Sequence, residues 1–178
     1  MEALVEQAKN GDKEAFTQLI LSIKNELYKI ARMRLSNDDD ISDAIQETMI
    51  MAFKSIKKLK KGKYFKTWII RILINECKKI YKRKKSIYID EIDDKTLFNI
   101  DFSENEFEVI NSKINFDLIL KKLDPDERTI LMLCYLEDFT YREIAETMFI
   151  KENTVKSRLF RIKNKIKELC EEEKLWMD

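Results

Sequence analysis

The sequence predicts an all-α protein: two small helical modules joined by a flexible acidic linker, the second module containing a helix-turn-helix. Three observations lead there. First, Gly and Pro are almost absent, at 2 and 1 of 178 residues, so few positions interrupt helices or build irregular loops. Second, apolar residues recur at helical spacing through most of the chain. Third, charge is segregated. The net charge is only +1 with 38% of residues charged. Yet Lys54–Lys85 carries fourteen Lys or Arg against Glu76 alone, Ser86–Ser112 carries eight acids against Lys95, and Lys151–Leu169 carries seven bases against two acids. A basic block, an acidic connector and a basic helix therefore follow one another.

Composition also excludes several kinds of chemistry. So little Gly argues against Gly-rich phosphate loops and dinucleotide folds. The chain has no His, which removes Ser-His, Cys-His and His-ligated metal sites. Cys77, Cys134 and Cys170 are odd in number and far apart. They read as reduced, mostly buried thiols of a cytoplasmic protein. The start, Met-Glu-Ala-Leu-Val-Glu, has neither a basic n-region nor a long apolar run, so no signal peptide or membrane span is expected. No active site, metal or cofactor can be assembled from what remains.

Leu4–Lys9 is a short helix candidate that stops near Gly11, and Asp12 can cap the next helix. Phe16, Leu19, Ile20, Ile23, Leu27, Ile30 and Ala31 then form an amphipathic stripe to about Leu35. Ser36–Asp40 reads as a polar loop. From about Ile41 to Lys58 a third helix buries Ile41, Ala44, Ile45, Thr48, Met49, Ala52 and Phe53. Asp43, Gln46 and Glu47 share another face at spacings of three and four. They are either a solvated face with acids near a helix N-terminus or, with Ile50 and Met51 beside them, a partner surface.

After a Lys-rich loop, Lys57–Lys63, a fourth helix carries the stripe Phe65, Trp68, Ile69, Ile72, Leu73 and Ile80. Lys66, Arg71, Asn75, Lys78, Lys79, Lys82 and Arg83 fall largely on its outer side. A nucleic-acid backbone would neutralise so dense a positive charge, and Phe65 or Trp68 beside it is either core or a stacking platform for unpaired bases. The stretch from Ser86 to about Asn111 is acidic and lacks a sustained period. Fully extended it reaches roughly 90 Å, and Ile87, Tyr88, Leu97, Phe98 and Phe102 make it too apolar for a passive tether.

A helix is expected from Ile110 to about Lys122. Asp124-Pro125-Asp126-Glu127 then gives an N-cap, Pro at the first position and an acid at the third. The helix it starts turns Ile130, Leu131, Leu133 and Cys134 inward and ends at Glu137-Asp138. Ile144, Ala145 and Met148 form the next apolar face. Ile150 begins a break, and Asn153 can cap a last helix with Val155, Leu159, Ile162 and Ile166 inward. Two short helices about a tight turn form a helix-turn-helix. Lys156, Ser157, Arg158 and Arg161 lie off its core, where they suit phosphates and base edges of duplex DNA. The competing reading is a plain helical hairpin with a solvated basic face. Trp176, after an acidic end, is expected to pack on this module.

These motifs resemble the bacterial RNA polymerase sigma factors of the extracytoplasmic-function group. Asp43-Ala44-Ile45-Gln46-Glu47-Thr48 is similar to the region-two segment that docks on the clamp helices of the polymerase's largest subunit. The resemblance implies that Asp43, Gln46 and Glu47 make that contact. Phe65-Lys66-Thr67-Trp68 with Arg71, Ile72 and Asn75 resembles the reader of the −10 promoter element. It implies DNA contacts from Lys66, Thr67, Trp68, Arg71, Asn75, Lys78 and Lys79, while the preceding loop holds an unstacked base. Glu143-Ile144-Ala145, Ile150 and Thr154-Val155-Lys156-Ser157-Arg158-Leu159 resemble region four, which binds the −35 element. There the resemblance implies Thr154, Lys156, Ser157, Arg158 and Arg161.

The implied layout is residues 1–85 as region two, 86–110 as linker and 111–178 as region four. Core RNA polymerase, promoter DNA and an anti-sigma factor are the implied partners. Where that group carries Gly in the turn, Phe149 stands here. Either Phe149 takes a positive φ at a steric cost, or the turn is built differently. A free-standing helix-turn-helix regulator that binds duplex DNA without polymerase is the alternative, and it needs no shared face of Asp43, Gln46 and Glu47.

Overall fold

In the computed structural model, which describes residues 1–87 and 120–175, every regular element is helical. The first is α1 (Glu2–Lys9), two residues earlier than the apolar pattern indicates. Gly11, at φ +101°, turns the chain. Asp12 then caps α2 (Lys13–Arg32), its side chain accepting from the Ala15 N–H at 2.9 Å. All seven residues of the expected stripe of α2 are buried.

The third helix, α3 (Asp38–Ser55), begins three residues before the expected Ile41. Its start is set by Asn37, whose Oδ1 accepts from the N–H groups of Asp39 and Asp40. Asp38, Asp39 and Asp40 therefore occupy the first turn, where the helix dipole favours acids, and they do not extend a loop. Ile41, Ala44, Thr48 and Ala52 are buried, the Thr48 hydroxyl donating to the Ala44 carbonyl at 2.6 Å. Ile45 and Met49 are half-buried. Phe53, expected inside, is 50% exposed and meets the Phe16 ring edge-on at 5.2 Å.

Two short 3₁₀ turns, Ile56–Lys58 and Gly62–Tyr64, lead to α4 (Phe65–Ile87). Here the expected single stripe is too narrow. Phe65, Ile69, Leu73 and Ile80 are buried as expected, but so are Thr67, Ile70, Ile74 and Cys77, while Trp68 and Ile72 are only half-buried. At 3.6 residues per turn these buried positions sweep roughly 200° of the helix. The reason is that α4 packs on both α2 and α3. Burial pushes the Cys77 thiol up from 9.0 to about 12, so it stays a protonated core residue.

Leu120–Lys122 is the described end of the expected Ile110 helix. Asp124 and Glu127 form a reciprocal capping box at 2.8 and 3.0 Å, and α5 (Pro125–Tyr135) follows. Its inward set differs from expectation: Arg128, Thr129 and Met132 join Ile130 and Leu133, whereas Leu131 and Cys134 are half-buried. A second box, unforeseen, starts α6 (Tyr141–Met148): the Thr140 N–H donates to Glu143 at 2.9 Å and the Glu143 N–H to Thr140 Oγ1 at 3.2 Å.

The last helix, α7 (Glu152–Leu175), starts one residue before Asn153, which therefore lies in its first turn and not at its cap. It packs on α5, with Lys165 3.1 Å from Glu127. The turn before it uses the first of the two alternatives for Phe149. Phe149 sits at φ +58°, and the Ile150 N–H bonds the Ala145 carbonyl five residues back, the helix ending usually completed by Gly.

The chain divides into two compact units, Met1–Lys95 with Glu146–Phe149, and Thr96–Ala145 with Ile150–Asp178. Most of the expected linker, the start of the Ile110 helix and Trp176 lie outside the described residues.

Candidate functional site

In the first unit, α3 turns Asp43, Gln46 and Glu47 outward, all three exposed. Their spacing places them on one side of the helix, and Ile50, 37% exposed, lies on the same side one turn on. Met51, 40% exposed, is adjacent. The face is thus polar at its N-terminal end and apolar at its C-terminal end, and the helix's own core of Ile41, Ala44, Thr48 and Ala52 does not use it.

Packing of α4 on α3 adds residues that spacing could not supply. Asp43, Gln46 and Glu47 line an open cleft of about 510 Å³ together with Glu76, Lys79, Ile80 and Arg83. Glu76 is buried to 8% exposure and accepts from Lys79 Nζ at 2.8 Å. Lys84 reaches Asp40 at 2.6 Å and ties the same two helices together. The cleft therefore mixes three carboxylates with two cations, one of which, Lys79, is held by Glu76.

The nucleic-acid candidates of α4 do not all share a face. Trp68, Arg71, Asn75, Lys78 and Lys82 fall on the outer arc left by the core. Arg71 and Lys82 are exposed, and Trp68, Asn75 and Lys78 are half-buried. Thr67 is different. It is 9% exposed and continues the Ile70, Ile74 and Cys77 side of the helix, so it has little surface to offer. Lys66 is half-buried on the core side of the first turn, and Lys79 borders the carboxylate cleft.

In the second unit, Thr154, Ser157, Arg158 and Arg161 share one side of α7, with Ser157 and Arg161 exposed and Thr154 and Arg158 half-buried. Arg158 lies 3.7 Å from Asp126 of α5. Lys156 points to a different side and pairs with Glu152 at 3.2 Å. Beside it stands Phe160, 66% exposed. Sequence reasoning passed over Phe160, although its position off the Val155, Leu159 and Ile162 stripe and between basic residues marks it as a surface aromatic.

The family described as Sigma-70 region 2 matches residues 19–87, and Sigma-70, region 4 matches residues 113–166. The chain is 32% identical to the "ECF RNA polymerase sigma-E factor" of Haemophilus influenzae, over 94% of this chain and 96% of that one. It is 28% identical to the "ECF RNA polymerase sigma factor SigW" of Bacillus subtilis, over 88% and 89%. Among solved structures, its fold is similar to CnrH in complex with the cytosolic domain of CnrY, at TM-score 0.69 and 21% identity over 96% of both chains. It is also similar to the sigma factor RpoE of Bartonella quintana in complex with the anti-sigma factor NepR, at TM-score 0.70 and 23% identity over 88% and 96%.

Proposed function

The chain belongs to the extracytoplasmic-function group of sigma-70 factors, and on that premise we propose how its residues divide the work of promoter recognition. It binds core RNA polymerase, recognises the −10 and −35 promoter elements and initiates transcription. Residues 1–85 act as region two, 111–178 as region four, and the acidic 86–110 segment as the tether that enters the polymerase's RNA path. The chain works in the cytoplasm, where polymerase and promoters are, and does no covalent chemistry of its own. An anti-sigma factor is a fitting regulator, since one structural neighbour is bound to one.

The observation that carries the assignment of the polymerase contact is the exposed Asp43, Gln46 and Glu47 face, with Ile50 and Met51 beside it. An isolated DNA-binding regulator would have no use for this surface. On α4, Trp68, Arg71, Asn75 and Lys78 form the −10 surface, with Lys66 and Lys79 at its borders and the buried Thr67 shaping it from within. On α7, Thr154, Ser157, Arg158 and Arg161 face the −35 duplex, Lys156 serves flanking phosphates, and Phe160 offers an apolar contact to a thymine methyl. The test is co-elution of purified wild type with core polymerase, followed by transcription from a cognate promoter. Specific binding to duplex DNA with no affinity for core polymerase would replace this reading with the free-standing regulator.

A narrower result is expected at Arg158. Its half-buried stem and nearby Asp126 hold the guanidinium early in α7, where a recognition helix meets base edges. Arg158→Ala should weaken −35 binding by about 1–3 kcal/mol, the range of a good bidentate base contact. A direct titration that finds unchanged affinity removes Arg158 from the base-reading set.

A further inference from the structure

The cleft of the first unit has two walls of different character. On α3 stand Asp43 and Glu47, one turn apart, with Gln46 between them. On α4 stand Glu76, Lys79, Ile80 and Arg83, which span two turns, roughly 10 Å of helix. Glu76 and Ile80 are buried and form its floor. Both carboxylate oxygens of Glu76 accept from Lys79 Nζ, at 2.8 and 3.1 Å. That pair is neutral, and it draws the ammonium toward the cleft. At the Arg83 end, Lys84 reaches Asp40 at 2.6 Å, a tie between the two helices that fixes how far apart the walls stand.

Arg83 differs from the cation before it. Successive residues of a helix are turned by about 100°. Lys82 therefore continues the outer arc of Arg71, Asn75 and Lys78. Arg83, seven residues after Glu76 and three after Ile80, returns to their side, which meets α3. Around the cleft, Asp43 and Glu47 make one wall negative, Glu76 and Lys79 cancel, and Arg83 makes one end positive. A phosphate backbone is negative throughout, so the α3 wall repels it. A protein segment that carries both a cation and a carboxylate matches both ends. The cleft is also continuous with the exposed face of Asp43, Gln46, Glu47 and Ile50, so one protein partner covers both.

We propose that Arg83 is a polymerase-docking residue, and that the cleft between α3 and α4 takes a bipolar polymerase segment, its cation against Asp43 and Glu47 and its carboxylate against Arg83. This rests on the sigma-factor reading and extends the contact from one helix face to a site built by two helices. It also makes the contact selective: a partner without a carboxylate for Arg83 binds less well.

The test titrates full chain carrying Arg83→Gln into core polymerase, beside wild type and Lys82→Gln, a change one residue away on the outer arc. Both positions are exposed, and Arg83→Gln leaves the Glu76–Lys79 and Asp40–Lys84 pairs in place. Arg83→Gln is expected to weaken core binding about tenfold, as when an interface charge pair loses one partner, while Lys82→Gln stays within about twofold of wild type. Arg83→Glu should bind more weakly still, because like charges then meet. With core saturating, Arg83→Gln should keep the wild-type slope of log promoter affinity against log salt, whereas loss of a duplex phosphate contact removes roughly 0.9 from it. Unchanged core affinity in Arg83→Gln overturns the docking role. So does a shallower promoter slope, which would put Arg83 on DNA. Equal losses in Arg83→Gln and Lys82→Gln also overturn it, since net charge alone would explain them. Tighter binding by Arg83→Glu than by Arg83→Gln overturns the polarity of the cleft. Wild type that does not bind core polymerase fails the sigma-factor reading itself, a result distinct from wild-type binding with an indifferent Arg83.

Discussion

A variant carrying Asp43→Ala, Gln46→Ala and Glu47→Ala is expected to fold like wild type and to lose co-elution with core polymerase, and with it promoter-dependent initiation. The folding half follows from exposure. All three side chains point away from the Ile41, Ala44, Thr48 and Ala52 core, and exposed substitutions of this kind change stability by less than about 0.5 kcal/mol each. Ala also raises helix propensity at all three positions, which offsets part of any loss. The binding half follows from the cleft. Removing Asp43 and Glu47 leaves Lys79 and Arg83 facing only Glu76, so the surface changes the sign of its charge as well as losing its hydrogen-bonding groups. Charge pairs desolvated in an interface are worth roughly 2–5 kcal/mol when one partner is truncated. Two such losses convert tight association into none measurable in a co-elution assay. The free-standing regulator predicts that the same variant binds its operator normally. Intact co-elution of a folded variant would exclude this face as the polymerase contact.

How far the sequence discloses such a surface depends on how many neighbours a helix has. The stripe of α2 was fully legible, because residues at helical spacing were inside wherever the pattern placed them. The caps at Asp12 and Asp124 were legible too, since each is a local bond between residues three apart. The start of α3 was not. Three consecutive aspartates read as loop, and only Asn37, accepting two backbone N–H groups, turns them into a first helical turn. The composition of the α3 face was likewise legible as Asp43, Gln46 and Glu47. Its closure by Glu76, Lys79, Ile80 and Arg83 was not, because that depends on how a helix some thirty residues later packs. At Phe149 the expected conflict was real. The turn keeps the positive φ that favours Gly and places an aromatic there nonetheless.

The failure of the single-stripe pattern on α4 points to a strongly disruptive substitution in the first unit. Ile74 falls outside the expected stripe, Ile72 inside it, and the structure reverses their places. Ile74 is fully buried and Ile72 is half-buried. Ile70 and Ile74 lie on the side of α4 that makes its buried arc wide, so truncation at Ile74 opens a cavity inside the core, which cannot collapse without moving a helix. Ile74→Ala should cost roughly 2–5 kcal/mol, a large share of the 5–15 kcal/mol that a domain has in total. In a unit of this size that corresponds to a melting shift of about 10–25 °C. Ile72→Ala, which removes surface already half in water, should cost a fraction of that. The transition is best followed by Trp68 fluorescence in a Trp176→Phe background, because Trp68 sits on α4 itself and, with the second tryptophan removed, reports the first unit even if the second melts separately. Equal shifts for the two variants, or a larger one at Ile72, would mean that α4 has one buried side after all and that its second apolar row faces solvent.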